Sequence, residues 1–294
     1  MYLLLLFSLG YNKLLTYFNC EASCLYNKDI ASRIKKFVFY YLRKPININL
    51  LLQIFLAYLY KMYSIKNVTI SAMPKTIPLK DIKFVLLDMD GTLLDLYFDD
   101  YFWGHLVPEK YAEKHNMTFG AAKDFLFKTY KSHEKTLNWC DIDFWSKELH
   151  LDIPVLKEQI KHLIEVHPHV IDFLKMLRKH KKKIFLVTNA HYKTVSLKLK
   201  KTQIGKYFDS VLCSFDVGYP KEYVEFWHKA EKQLKFDKEK TLFIDDTEDV
   251  LLTAKEYGIK YLLFKARASS KLEPKKSNNF LVIHDFRELM HEGI

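Results

Sequence analysis

The chain has 294 residues, with 46 Lys+Arg against 35 Asp+Glu and a formal net charge of +11. Apolar residues at 49% and charged residues at 28% are near globular averages, which excludes wholesale disorder and allows one large domain or two smaller ones. Four cysteines in a chain this long do not make a disulfide scaffold, and Cys20-x-x-x-Cys24 lacks a second pair to complete a zinc site, so free thiols are expected.

Residues 1–72 hold nine basic and two acidic residues, so +7 of the net charge lies there and +4 in residues 73–294. A surplus of this size suggests an acidic membrane surface or nucleic acid as partner. A peripheral basic helix is one reading of the segment. A transmembrane span is not expected, because the apolar stretch Leu50 to Tyr60 falls short of the roughly 20 residues a bilayer needs. Tyr2 to Leu9 has no preceding positive charge and no clear cleavage site, so it is not read as a secretion signal. The preferred reading makes 1–72 an N-terminal extension outside the working protein, with Met73 an ordinary start. The remaining +4 calls for no nucleic-acid partner.

From residue 82 short apolar runs alternate with helical stretches. The runs are Ile82 to Leu87, Ile184 to Val187, Val211 to Phe215, Leu242 to Ile244 and Ile259 to Phe264. Helical spacing appears in Val170 to Lys181, through Ile171, Leu174 and Leu177, and in Glu222 to Leu234, through Phe226, Ala230 and Leu234. Continuous apolar strands alternating with helices predict an α/β fold, a doubly wound parallel sheet covered on both faces. Residues 96–165 break the alternation and predict a helical insertion. Pro108 is placed to open one helix and Thr118 to cap another, and Phe125, Leu126, Tyr130 and Leu137 form an apolar face. Residues 268–279 read as an exposed loop.

Polar clusters stand at the carboxyl ends of the first, second and fourth runs, where such sheets bind ligands. In Asp88-Met89-Asp90-Gly91-Thr92 the two carboxylates are alternate residues, so both can face one site. Asp and Gly are also common in strand-to-turn exits. Asp245-Asp246 follows another strand, and carboxylates gathered at one sheet edge suit a hard divalent ion such as Mg²⁺. Thr188-Asn189 offers a hydroxyl, an amide and backbone N–H groups for an anion. Lys221 can set a positive charge beside a phosphate. Together these parts describe a phosphoryl-transfer site.

The same clusters resemble, in order and spacing, the four motifs of the haloacid dehalogenase superfamily. Phe84-Val-Leu-Leu-Asp-Met-Asp-Gly-Thr-Leu93 resembles motif I, Leu186-Val-Thr-Asn189 motif II, the lysine of Gly218-Tyr-Pro-Lys221 motif III, and Leu242-Phe-Ile-Asp-Asp246 motif IV. The resemblance implies a Rossmann-like core from residues 73–95 and 166–294 and a helical cap from 96–165, inserted after the first strand. Leu93 to Trp103, Thr136-Leu-Asn-Trp139, Phe144-Trp-Ser146, Thr188-Asn-Ala-His191 and Gly218-Tyr-Pro-Lys-Glu222 are further similar to the bacterial GMP/IMP nucleotidases of that superfamily. This likeness covers about residues 80 to 290 and not 1–72.

By that resemblance the chain is expected to hydrolyse purine nucleoside 5′-monophosphates in the cytoplasm. Asp88 is implied as nucleophile and Asp90 as general acid and base, which a dehalogenase does not need. Mg²⁺ is implied on Asp88, the Asp90 carbonyl, Asp245 and Asp246, and the phosphate on Thr188, Asn189 and Lys221. Asp249 is one residue short of a common motif IV spacing and is read as helix surface. For the base, Phe98, Asp99, Trp103 and Trp139 are the candidates, although most aromatics of the insertion are expected in its own core. A phosphatase for sugar phosphates or other small phosphoesters is the alternative. His167-Pro168-His169 is read as a helix entry, not a metal site.

Overall fold

The apolar runs form strands because they bury their side chains between helices, almost completely in the central strands and in part at the sheet margin. Residues 77–290 are described by the structure, a computed structural model; the readings of residues 1–72, including Cys20 and Cys24, lie outside the described residues. In chain order the strands are β1 Phe84–Leu87, β2 Lys183–Thr188, β3 Ser210–Cys213, β4 Thr241–Asp245, β5 Tyr261–Lys265 and β6 Leu281–Ile283. All pairs are parallel, in the order β3-β2-β1-β4-β5-β6. Leu87 lies level with Leu186 on one side and Ile244 on the other. The chain reverses direction along the sheet at β1, so the ends of β1, β2 and β4 open onto one crevice.

The segment between β1 and β2 is helical. Its elements are α1 Tyr97–Tyr101, a π-helical turn Phe102–Leu106, α2 Val107–His115, α3 Phe119–Ser132, α4 Leu137–Cys140, α5 Ile142–Leu149 and α6 Ile153–Gln159. The chain leaves and returns at one neck: Asp95 N donates to Glu165 O at 3.0 Å and His167 N to Leu93 O at 2.9 Å. Thr118 caps α3 by accepting from Ala121 N at 3.3 Å. Pro108 stands at the start of a helix, as expected. It sits in the first turn of α2, directly after the π-helical turn, where a missing N–H is tolerated. The inward face of α3 is Ala122, Leu126 and Tyr130, at spacings of four, while Phe125 is exposed.

The remaining helices are α7 Val170–Lys179, α8 Tyr192–Thr202, α9 Ser214–Val217, α10 Val224–Leu234 and α11 Glu248–Tyr257. Helix α7 turns Val170, Phe173, Leu174 and Leu177 inward, so Leu174 and Leu177 of the expected stripe are core, while Ile171 lies at the surface and Val170 and Phe173 complete the face. The third strand is shorter than expected: after Cys213, the Asp216 side chain accepts from Cys213 N at 2.9 Å and starts α9. Strand β6 was not foreseen. The loop 268–279 is irregular, yet Ala268 and Ser269 are buried, and Ser270 N donates to Asp95 at 3.1 Å. His169 precedes α7 with a positive φ and pairs with Asp285, while His167 is buried against Ala268 O at 3.1 Å; both serve the helix entry. Cys140 and Cys213 are free thiols.

Candidate active site

Asp88 continues β1 past Leu87, its N–H donating to Ile244 O at 3.0 Å, and Asp245 ends β4 beside it. Lys221 is 3% exposed, and its Nζ lies 2.6 Å from Asp88 Oδ1 and 2.6 Å from Asp245 Oδ2. Asp246 is buried next to them, and one oxygen from each of Asp88, Asp245 and Asp246 falls within 4.8 Å of the others. Gly91, at φ +83°, carries the chain past this group; a Cβ there would stand 2.6 Å from Asp246 Oδ2. Lys275 reaches in from the surface to Asp246 Oδ2 at 2.7 Å.

Three buried carboxylates face one buried ammonium here. Burial pushes the Asp88 carboxyl up, against the pull of Lys221, and pushes Asp245 well up. Burial works to lower Lys221, but Asp245 and Asp88 together outweigh it and hold the ammonium charged. Asp88 Oδ2 is buried with no hydrogen-bond partner. An unpartnered carboxylate oxygen in a group with surplus negative charge fits a divalent cation with oxygen ligands.

Asp90 is not one of these three grouped carboxylates, and its Oδ1 accepts from Lys198 Nζ at 2.6 Å. Burial raises Asp90 to about 6 despite that ammonium. Thr188 is buried at the end of β2, and its oxygen accepts from Ala190 N at 3.0 Å. Asn189 is bound to protein: Oδ1 accepts from Lys221 N and Nδ2 donates to Glu222 Oε2, both at 2.9 Å. Its side chain therefore ties down the 218–222 loop and sets Lys221, a task that residue type alone did not reveal.

The expected base-contacting residues separate. Phe98 is fully buried and presents no surface to a ligand. Trp103 is half-buried and packs edge-on against Tyr130 and Trp145, at 5.4 and 6.0 Å between ring centres, inside the insertion's own core. Both Asp99 oxygens are taken by lysines, Lys157 on Oδ1 at 3.0 Å and Lys198 on Oδ2. Trp139 alone of the four is exposed, at 41%, and its carbonyl accepts from Trp145 Nε1. Asp249 is exposed and pairs with Lys135 of the insertion at 2.5 Å. His191 is buried, and its Nε2 lies 3.8 Å from carboxylate oxygens of both Asp141 and Asp143. Sequence reasoning missed Lys198, Lys157 and Lys275; for Lys198 the available signal was its place three and four residues after Val195 and Thr194 on one helix face.

The sequence matches the family described as haloacid dehalogenase-like hydrolase over residues 82–258. It is 37% identical over 211 residues to the GMP/IMP nucleotidase YrfG of Escherichia coli, covering 72% of this chain and 95% of that protein. It is 25% identical over 182 residues to the pyrophosphatase PpaX of Bacillus mycoides, covering 61% of this chain and 81% of the relative. In fold it is similar to the crystal structure of a HAD phosphatase from Thermococcus onnurineus, with a TM-score of 0.63 and 24% identity over 71% of this chain and 96% of that one.

Proposed function

The chain belongs to the haloacid dehalogenase-like hydrolases, and within that family we propose that it is a Mg²⁺-dependent 5′-nucleotidase that releases phosphate from purine nucleoside monophosphates such as GMP and IMP. The observation that carries this reading is the cluster of Asp88, Asp245 and Asp246 around Lys221, with one Asp88 oxygen buried and unpartnered. The substrate class rests on the 37% identity to a GMP/IMP nucleotidase over nearly its whole length.

In this reading Asp88 is the nucleophile. Lys221 fixes its Oδ1, so the carboxylate is held in line for attack on the phosphorus. The bond from phosphorus to the nucleoside 5′-oxygen breaks as the bond to Asp88 forms, and Asp90 gives its proton to the departing oxygen. A water then attacks the aspartyl-phosphate, Asp90 takes the proton back, and Asp88 is freed with inorganic phosphate. Thr188, Lys221 and backbone N–H groups near Asn189 hold the phosphoryl oxygens. Asp88, Asp245, Asp246 and the Asp90 carbonyl would hold Mg²⁺, which supplies charge neutralisation between an anionic nucleophile and an anionic substrate. Of the four candidate base contacts, Trp139 is the one this reading keeps, because its side chain is exposed.

The test is phosphate release by the full chain from GMP, IMP, pyrimidine monophosphates and a set of sugar phosphates, with and without chelator. The expected result is purine monophosphates ranked first and all release lost on chelation. Sugar phosphates ranked well above GMP and IMP would replace this reading with a phosphatase of small phosphoesters. No release from any of them would remove it.

A further inference from the structure

Lys198 is a buried charge that the reaction as written does not use. It lies on α8 with 1% exposure, among Thr194 and Val195 of the same face. Its ammonium bridges two carboxylates, Asp90 Oδ1 at 2.6 Å and Asp99 Oδ2 at 2.5 Å. The other oxygen of Asp99 takes Lys157 Nζ at 3.0 Å, and Lys157 is 2% exposed. The Lys157 ammonium lies over the faces of Phe98, Phe102 and Trp103, at 4.9, 4.3 and 5.5 Å from the ring centres. Four alternating charges thus run from the loop after β1, through α8, to α1 and α6 of the helical insertion.

This chain is electrically balanced, two carboxylates against two ammonium groups, so it asks for no further ion. Burying such charges costs several kcal/mol per ion before pairing, and hydrophobic residues of like volume often serve stability as well. What a paired lysine gives that an apolar residue does not is a fixed direction for a carboxylate. Among the described residues, Lys198 is the hydrogen-bond donor to Asp90, and it engages one oxygen only. The Asp90 side chain keeps 21% exposure, so its second oxygen stays available to a reacting group.

We propose that Lys198 is the positioning residue for Asp90, gripping one carboxylate oxygen so that the other meets the leaving oxygen, and that Asp99 and Lys157 anchor this grip in the helical insertion. The inference rests on the assignment of Asp90 as acid and base in the reaction proposed above. It goes beyond that assignment in giving the insertion a part in the chemical step. When the insertion is seated, Asp99 holds Lys198; when it is not, Lys198 loses one of its two carboxylates.

Leaving-group dependence tests this. Phenyl phosphate and p-nitrophenyl phosphate share a ring and lack a nucleobase, but the phenyl ester needs a proton at its departing oxygen far more. In Lys198→Met of the full chain with Mg²⁺, kcat/KM for phenyl phosphate and GMP is expected to fall about 100-fold, within the range of general-acid contributions. For p-nitrophenyl phosphate kcat/KM is expected to stay within about 5-fold. Its kcat should fall together with its KM, because hydrolysis of the aspartyl-phosphate still needs Asp90. Equal losses of kcat/KM on both aryl esters, or no loss on phenyl phosphate, overturn the proposal. Should Lys198→Met not fold, Asp99→Asn leaves Lys198 on Asp90 and is expected to show the same selectivity at about 10-fold; an unselective loss there overturns it equally. Wild-type protein inactive on all three esters would remove the proposed function and this inference with it, whereas an active wild type with an unselective variant removes this inference alone.

Discussion

Two lysines in this molecule each bridge two aspartates inside the protein, and the two sites differ in their charge balance. Lys221 joins Asp88 and Asp245, Asp246 is a third buried carboxylate met by Lys275 from the surface, and an Asp88 oxygen is left unpartnered, so three carboxylates face two ammonium groups. Lys198 joins Asp90 and Asp99, and Lys157 completes the balance. The first site is incomplete by itself and suits a cation and an anionic substrate. The second is complete by itself and suits a fixed framework. Similar geometry at the ammonium therefore serves two different ends, and the count of neighbouring charges separates them.

The comparison can be broken at several points. The largest effect is expected from Asp88→Asn, which keeps the shape and removes the proposed nucleophile. Phosphate release should fall by about 10⁴-fold or more, as when a nucleophile that acts as part of a unit is lost. Residual release near the wild-type level would mean that the unpartnered oxygen has no chemical task. Next, Lys221→Met should cost about 3–5 kcal/mol of stability, because it strands buried carboxylates. Saturating Mg²⁺ is expected to restore part of that loss, measured by denaturant titration. Lys198→Met should be destabilised too, and Mg²⁺ should raise its stability no more than it raises that of the wild type, since the ion binds at the Asp88 cluster and does not replace the lost ammonium.

Acid stability sharpens the comparison by supplying a baseline from a side chain that bonds to neither lysine. Burial, aided by the nearby Lys265, lowers His167 to about 4. Between pH 6.5 and 4 the unfolded chain takes up a proton that the folded chain refuses. Stability from this group is thus full above about 6.5 and is lost as pH falls toward 4, by about 3 kcal/mol in all. Denaturant midpoints of the wild type and His167→Gln across that window measure it: the variant should show a flatter slope. The smallest effect is expected at the Lys135–Asp249 pair. Both side chains are more than half exposed, so Lys135→Ala should change stability by less than about 1 kcal/mol.

The fold and the cluster at the strand ends were legible in the sequence because both follow from short-range pattern. A buried parallel strand is a continuous apolar run, and a polar pair directly after it must lie at the sheet edge. Strand β6 escaped because its three residues follow a polar stretch, Lys-Lys-Ser-Asn-Asn, and sit at the sheet margin. The start of loop 268–279 read as exposed because its composition is polar, yet Ala268 and Ser269 are buried there, with the backbone of Ser270 tied to Asp95. Phe98 and Trp103 looked fit to stack on a base; packing, which the sequence does not show, spent them on the core of the insertion. Lys198 was the least legible residue. It stands in Leu-Lys-Leu-Lys-Lys, where lysine reads as solvated surface, and only the long-range approach of Asp90 and Asp99 makes its burial possible.

The central claim is that surplus charge at Asp88, Asp245 and Asp246 makes this the cation site, and that the balanced site at Lys198 binds none. Calorimetric titration of Mg²⁺ into the full chain tests it most directly, in wild type, Asp246→Asn and Lys198→Met. One Mg²⁺ per chain in wild type and in Lys198→Met, with binding lost in Asp246→Asn, is the predicted result. Binding undiminished in Asp246→Asn, or abolished in a folded Lys198→Met, would contradict it.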